Sequence, residues 1–134
     1  MASAFFARLA AHLAAGDGAF SGDGLPSAPA PLIRTWRGVT RTEDAVRYLD
    51  YVERTGLADY ASGAGHLGAL ALNRPVAGGM ELLIVSGWAS EAALARFAGG
   101  DLERARFYPE DDAFLIDRDC RAVHYRLARA IARR

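Results

Sequence analysis

The chain has 134 residues, 51% of them hydrophobic, and this predicts one globular domain with a substantial core. Its 16 basic and 16 acidic residues cancel, so no excess positive field favours nucleic acid or a membrane surface as a partner. Cys120 is the only cysteine, which excludes an internal disulfide and is typical of the reducing cytoplasm, where we expect the protein to be located.

Residues 1–31 are predicted to be an N-terminal helix followed by a linker. Phe5, Leu9 and Leu13 recur at helical spacing, and the next stretch, "GDGAFSGDGLPSAPAPL", is rich in Gly, Pro, Ser and Ala. The apolar start is shorter than the ~20 residues that span a bilayer and has no basic segment before it, so we expect neither a membrane span nor a signal peptide. The helix is either a flexible appendage or a cover for the domain or a partner subunit. The compact domain is predicted over 32–134.

A strand and a helix are predicted to open this domain. In "LIRTWRGV", residues 32–39, strand alternation separates Ile33, Thr35 and Arg37 from Arg34 and Trp36. A helix is then expected between a capping Thr42 and a terminating Gly56. Its buried stripe has the i, i+3, i+4, i+7 spacing and contains Ala45, Tyr48, Leu49 and Val52.

An antiparallel hairpin is predicted from two extended runs, 65–74 and 79–88, which "PVAGG" joins. Ser90 is expected to cap a second helix, with Leu94 and Phe97 pointing inward.

A third, short helix is predicted to start at Asp101 and to stop at Pro109, and a last strand covers 121–128. The order β-α-β-β-α-(α)-β predicts an α+β fold of the ferredoxin-like, split βαβ type, with a four-stranded antiparallel sheet and helices on one face.

The hairpin strand 79–88 is apolar on both faces. Its alternation puts Leu82, Ile84 and Trp88 on one face and Leu83 and Val85 on the other. Because helices cover only one face, the other face is expected to be buried by a second copy. The sequence therefore predicts a homodimer packed sheet to sheet.

Five stretches over residues 32–127 resemble the antibiotic biosynthesis monooxygenase-like family of dimeric α+β barrel proteins. They are "RTWRG", "YLDYVERTGLADY", "SGWASEAALARFAG", "RFYPEDDAFL" and "VHYRL". The most specific feature is the spacing of Trp88, Ser90 and Phe97, with the acidic "YPEDD" behind it. The resemblance implies a barrel made by two subunits, each with a pocket between its sheet and its helices. Members of the family include cofactor-independent oxygenases of polyketide anthrones and haem-degrading enzymes.

The resemblance places Trp88 at the pocket wall, where an indole could stack on a planar aromatic substrate. The alternative is that Trp88 only anchors its strand on the second helix. Trp36, Tyr48 and Phe97 are the other predicted substrate-binding residues, and for Tyr48 core filling is the competing role.

His66 is the candidate catalytic base, because a neutral imidazole accepts protons near neutral pH; the alternative is a hydrogen-bonded core or interface residue. We expect no metal and no cofactor. Cys120 and His124 lie too far apart on one strand for a shared metal, and "YPEDD" is expected to be a solvated turn. The histidine with which haem-degrading relatives bind haem, on the helix after the tryptophan, is missing from "SEAALARFAGG".

Two functions follow from these residues. The first is a cofactor-independent monooxygenase that oxidises a planar phenolic or polyketide-like molecule in an apolar pocket. The second is a non-catalytic small-molecule-binding or accessory barrel protein. The second is the alternative, and the lack of a convincing polar cluster supports it: anthrone-oxidising members of the family carry an asparagine upstream on the tryptophan strand, where this chain has only apolar Ile84 and, near it, Ser86.

Overall fold

The structure, a computed structural model, describes residues 31–59 and 65–129, together with Ala7. The N-terminal helix and linker predicted from the sequence fall almost entirely outside the described residues. The described strands are β1 Leu32–Thr40, β2 His66–Val76, β3 Gly79–Trp88, β4 Leu115–Arg118 and β5 Val123–Arg126. The described α-helices are α1 Ala45–Val52, α2 Glu91–Ala98 and the single turn α3 Asp111–Phe114.

One antiparallel sheet contains all five of these strands, in the order β2-β3-β1-β4, with β5 also paired to β1. Strands β4 and β5 lie along the same edge: β4 pairs with 38–40 and β5 with 32–35. Together they form one fourth strand, interrupted where the Trp36 Nε1–H donates to the Asp119 carbonyl at 2.8 Å. The α+β, ferredoxin-like arrangement predicted from the sequence is confirmed. The first half of this edge strand, "LIDR", was not predicted because it is short and half charged.

The hairpin of β2 and β3 turns at Ala77 and Gly78, and the pairing runs from Val76 opposite Gly79 to His66 opposite Trp88. Gly78 has a φ of 80°, a left-handed conformation that glycine adopts without a steric penalty. The backbone of Gly79 approaches strand β1 closely, and a Cβ there would come within 2.0 Å of the Thr40 carbonyl oxygen. The hairpin predicted from the sequence is therefore present, with strand β2 ending two residues later than expected.

Helix α1 differs from its prediction at both ends. It follows a 3₁₀ turn, Thr42–Asp44, whose N-cap is Arg41, so Thr42 does not cap it. The chain stays helical past Gly56 through a π-helical turn, Glu53–Leu57. A π turn holds an extra residue and is often found near functional sites. The predicted end at Gly56 is wrong because this turn accommodates the glycine without ending the helix.

Helix α2 is capped as predicted, because Ser90 Oγ accepts a hydrogen bond from the Ala93 amide at 3.1 Å. The helix predicted from Asp101 to Pro109 is wrong. The Ala122 amide donates to the Glu103 carbonyl at 2.7 Å, and the Ala105 amide donates to Cys120 at 3.1 Å. These bonds hold the segment in an extended path beside the edge strand, and helix α3 forms only after Pro109.

The core lies between the sheet and helices α1 and α2, where Trp88 and Leu94 are fully buried. The opposite sheet face exposes large apolar side chains: Leu72 is 47%, Val123 48% and Tyr125 58% exposed. The register puts Leu72 opposite Leu83, away from Leu82 and Ile84 on the helix side. The open face thus carries apolar side chains, as predicted from the alternation, and beside them the ion-paired side chains of Arg37, Arg74 and Glu81.

Candidate functional site

A cavity of about 40 Å³ lies between strands β1 and β3, helices α1 and α2, and the mouth segment, residues 99–110. Its aromatic walls are Trp36, Tyr48, Phe97 and Tyr108, and its charged walls are Arg34, Arg106 and Asp111. The apolar side chains that complete the lining include Val52 and Ile84. A lining that is mostly aromatic and aliphatic, with a few polar groups, is typical of small-molecule sites.

The structure brings together three of the five residues singled out in the sequence. Trp36, Tyr48 and Phe97 line the cavity. Trp88 lies behind it, with its ring stacked on Phe97 at 5.7 Å and its Nε1–H donating to Ser86 Oγ at 3.0 Å. The ring of His66 meets Trp88 edge-on at 5.0 Å and is not part of the cavity lining. Trp88 therefore does not line the cavity itself but packs behind Phe97, which does.

The ring of Trp36 lies across strand β1 because residue 38 is a glycine. A Cβ at Gly38 would come within 2.6 Å of Trp36 Cη2 and within 2.9 Å of the Leu115 side chain. Trp36 Nε1–H is bound to the Asp119 carbonyl, and the ring meets Phe107 edge-on at 6.4 Å. The indole is therefore held in one orientation from both ends.

Arg34 brings a buried positive charge to the cavity, since the residue is only 2% exposed. Its Nη1 donates to the Leu102 carbonyl and, at 2.9 Å, to His124 Nε2, and its Nη2 donates to the Arg104 carbonyl at 3.1 Å. Burial, and after it the Arg34 charge, lower the pKa of His124. The imidazole is therefore neutral at neutral pH, as a ring that accepts a hydrogen bond from a guanidinium must be.

Asp111 brings a buried negative charge to the same cavity. Its Oδ1 accepts a hydrogen bond from Tyr48 Oη at 3.0 Å, and its Oδ2 accepts one from the Tyr108 amide at 2.6 Å. Burial, and after it the Asp111 charge, raise the pKa of Tyr48, which stays a neutral phenol and a donor.

The expectation that the acidic turn is solvated is thus wrong for one of its three members: Glu110 and Asp112 are exposed, whereas Asp111 is 4% exposed. Its spacing from Phe114 and Leu115, i+3 and i+4, was the available sequence signal that it points inward.

Arg106 lines the cavity from the mouth segment. Its guanidinium lies over the rings of Phe97 and Tyr108, at 5.1 and 5.3 Å from their centroids, and pairs with Asp59 at 3.4 Å. Tyr108 Oη also donates to Asp59, at 2.6 Å. These contacts fasten the mouth segment to the end of the helical stretch that begins with α1.

Among residues 31–59 and 65–129, no group of three or more His, Cys, Asp or Glu side chains could hold a metal ion. In the same part of the chain, no helix is both long enough and apolar enough to span a membrane.

Neither a protein-family model nor a curated protein matches the sequence. Solved structures do match its fold. One is a putative antibiotic biosynthesis monooxygenase from Bacillus cereus, with a TM-score of 0.56 and 17% identity over 78% of this chain and 97% of that chain. Another is a conserved protein from Methanosarcina mazei Go1, with a TM-score of 0.54 and 12% identity over 72% of this chain and 92% of the other.

A third is a monooxygenase from Streptomyces coelicolor solved with the ligand nanaomycin D, with a TM-score of 0.50 and 16% identity over 78% of this chain and 94% of the other. The chain has the fold of these proteins. The resemblance to antibiotic biosynthesis monooxygenase-like proteins is therefore confirmed at the level of fold. Function at these identities has to be argued from the cavity itself.

Proposed function

We propose that the cavity is the active site of a cofactor-independent monooxygenase that oxidises a planar phenolic or polyketide-like molecule. The main support is the lining of the cavity. Its aromatic walls are Trp36, Tyr48 and Phe97, and the buried cation Arg34 lines the same space. Flat aromatic walls favour stacking on a planar ring system. The monooxygenase names of two proteins with the same fold support the same reaction class.

The proposed substrate carries a methylene group conjugated through aromatic rings to a carbonyl, as an anthrone does. Loss of one methylene proton gives a carbanion whose charge spreads onto the carbonyl oxygen. That carbanion reduces dioxygen directly, and the net change is CH₂ + O₂ → C=O + H₂O, which balances without a further reductant. The Arg34 guanidinium would stabilise the oxyanion in surroundings that exclude water.

The size of the cavity requires the protein to open before such a molecule can bind. A volume of about 40 Å³ holds water molecules, whereas pockets for drug-sized ligands measure roughly 300–1,000 Å³. The mouth segment begins with Gly99, whose φ is 84°, and with Gly100, and no atom lies within 4 Å of a Cβ built on either residue. We propose that this glycine pair is the hinge.

The base that removes the proton was predicted to be His66, and this role stays a prediction. Its ring contacts Trp88, and Trp88 contacts the cavity wall residue Phe97. A direct role for His66 therefore requires rearrangement of both rings when a ligand enters. Trp88 is proposed as the support that keeps the wall in place.

The second candidate function, a non-catalytic small-molecule-binding or accessory barrel protein, is favoured by a specific observation on β3. Ile84 lines the cavity, and the Ser86 hydroxyl is bound to Trp88 Nε1. The strand therefore offers the cavity an apolar surface, where anthrone-oxidising relatives carry an asparagine.

We propose that the protein acts as a homodimer packed through the open sheet face, and that it works in the cytoplasm. The support for the dimer is the exposure of Leu72, Val123 and Tyr125 on that face, which a second copy would bury. Such pairing of two sheets would close the barrel that the family resemblance implies.

Oxygen consumption by the purified protein tests the proposed function across a panel of anthrones and hydroquinones. Uptake above the buffer rate, reduced in Trp36→Leu and in Trp88→Phe, is expected for the oxygenase. Reduced uptake in His66→Ala would support the predicted base. Saturable binding of panel members without uptake would favour the second function, and uptake at the buffer rate with every member contradicts the oxygenase for this substrate class.

A further inference from the structure

We infer that Asp111 is the general base of this site, an inference that rests on the proposed function. The carboxylate lines the same cavity as Arg34 and lies between helix α1 and the mouth segment. Among the described acidic residues, Asp111 is the one that lines this cavity.

Asp111 differs from the other buried acids in its partners. Among the described residues, Asp44 pairs with Arg41 and Arg47, and Glu81 pairs with Arg37 and Arg74. Asp111 has no ion pair in the described part of the chain and is held by two neutral donors, the Tyr48 hydroxyl and the Tyr108 amide. Buried charges are generally paired with an opposite charge, so a buried carboxylate held only by neutral donors is a candidate for a functional group.

The geometry leaves the carboxylate able to accept a proton. An ionised carboxylate has about four lone-pair sites, and the two hydrogen bonds occupy one on each oxygen. An aspartate can remove a proton from carbon when the oxyanion that forms is stabilised by donors in the same site. Arg34 is the cation that would stabilise it here.

The reaction uses Asp111 twice. Oδ takes the first methylene proton, and the electron pair of that C–H bond passes to dioxygen as a C–O bond forms. The protonated carboxyl returns its proton to the peroxide anion. Asp111 then takes the second C–H proton while the O–O bond breaks, and it gives that proton to the departing hydroxide, which leaves as water behind a new carbonyl.

The histidines are poorer candidates for this step. His66 contacts Trp88 and does not line the cavity. His124 accepts a hydrogen bond from Arg34 through Nε2. This nitrogen of His124 is therefore already bound to Arg34, the cation that would stabilise the substrate anion.

Proton exchange in the absence of oxygen tests the assignment. Anthrone is incubated with the protein in anaerobic D₂O, and loss of its methylene proton signal is followed by NMR. The native protein should accelerate exchange over buffer. Asp111→Asn, which keeps the shape of the side chain, should lower the catalysed rate roughly 100-fold or more. The matched control Asp112→Asn changes an exposed neighbour and should keep the native rate.

The assignment is overturned if Asp111→Asn exchanges at the native rate or if the native protein does not accelerate exchange. It is also overturned if only His66→Ala lowers the exchange rate. Admission of air then tests the proposed function separately. Exchange without oxygen uptake would leave Asp111 as the base and remove the oxygenase. If Asp111→Asn does not fold by circular dichroism, Asp111→Ala with added acetate replaces it. Acetate should restore exchange to this variant, and a folded variant whose rate ignores acetate overturns the assignment.

Discussion

The hydroxyl of Tyr48 lies 3.0 Å from Oδ1 of Asp111, and both groups are buried. The bond joins helix α1 to helix α3 and fixes the carboxylate at the wall of the cavity. Two residues that are far apart in sequence thus define one side of the proposed active site.

Tyr48→Phe should lower the free energy of unfolding by about 1–3 kcal/mol, because it removes a hydrogen bond donor from a buried carboxylate. Urea unfolding followed by circular dichroism measures the change. Val46→Ala on the same helix is the control, since Val46 is 71% exposed and should tolerate the change. Equal stability of the two variants would show that the bond contributes nothing.

Gly79→Ala should destabilise the protein by at least about 1–3 kcal/mol, because its Cβ would lie 2.0 Å from the Thr40 carbonyl oxygen and force strands β1 and β3 to shift. Thermal unfolding measures the loss. Gly100→Ala is the control, because no atom lies within 4 Å of its Cβ. A Gly79→Ala protein as stable as this control would be incompatible with the described strand packing.

Glu81 should make the stability dependent on pH. The hydrogen bond from Arg74 is the largest cause that lowers the pKa of Glu81 below its ordinary value of 4.5. Because the folded pKa lies below the unfolded one, the stabilisation is present above pH 4.5 and is lost as the pH falls through the folded value. The stability difference between the native protein and Glu81→Gln should therefore be largest at neutral pH and shrink in acid.

Denaturant unfolding of both proteins at a series of pH values measures this difference. Glu43→Gln, at an exposed position, is the control and should differ little from the native protein throughout. A Glu81→Gln difference that stays constant from neutral to acid pH would contradict the prediction.

Arg106→Ala should speed the entry of ligands, because it removes the cation that lies over Phe97 and Tyr108 and pairs with Asp59. Stopped-flow quenching of tryptophan fluorescence by a phenolic ligand measures the association rate. Arg96→Ala, an exposed arginine on helix α2, should leave the rate unchanged. Association that is no faster in Arg106→Ala than in this control would mean that the mouth does not limit entry.

Light scattering after size exclusion should report twice the chain mass of 14.4 kDa. Leu72→Glu places a charge on the open sheet face and should produce monomer. Val46→Glu is the control, because Val46 is 71% exposed on helix α1, on the other side of the sheet. A native protein that elutes as a stable monomer would contradict the proposed dimer.

The parts of the fold that could be predicted are those with a strong local signal. The alternation in β3 correctly separated Leu82 and Ile84 from Leu83, and Ser90 was recognisable as a cap from its place before a helix. The path of residues 101–109 could not be predicted, because it is set by hydrogen bonds to the distant residues Cys120 and Ala122.

The site was predictable only in part for the same reason. Strand alternation and helical spacing put Trp36, Tyr48 and Phe97 on surfaces that meet, and the cavity forms where they do. Asp111 was missed because its two neighbours in the sequence, Glu110 and Asp112, are equally acidic and lie in solvent. The spacing from Phe114 indicates only that Asp111 points inward, and its bond to Tyr48 on helix α1 is a contact that the local sequence does not reveal.

Turnover of an anthrone under isotopically labelled dioxygen tests the central claim most directly. Mass spectrometry of the product should show one labelled oxygen atom in the new carbonyl group, and the water formed should carry the other. The label should appear at a rate that falls with Asp111→Asn. An unlabelled product, or a labelled product that forms no faster than in buffer alone, would contradict the assignment of this cavity as an oxygenase site.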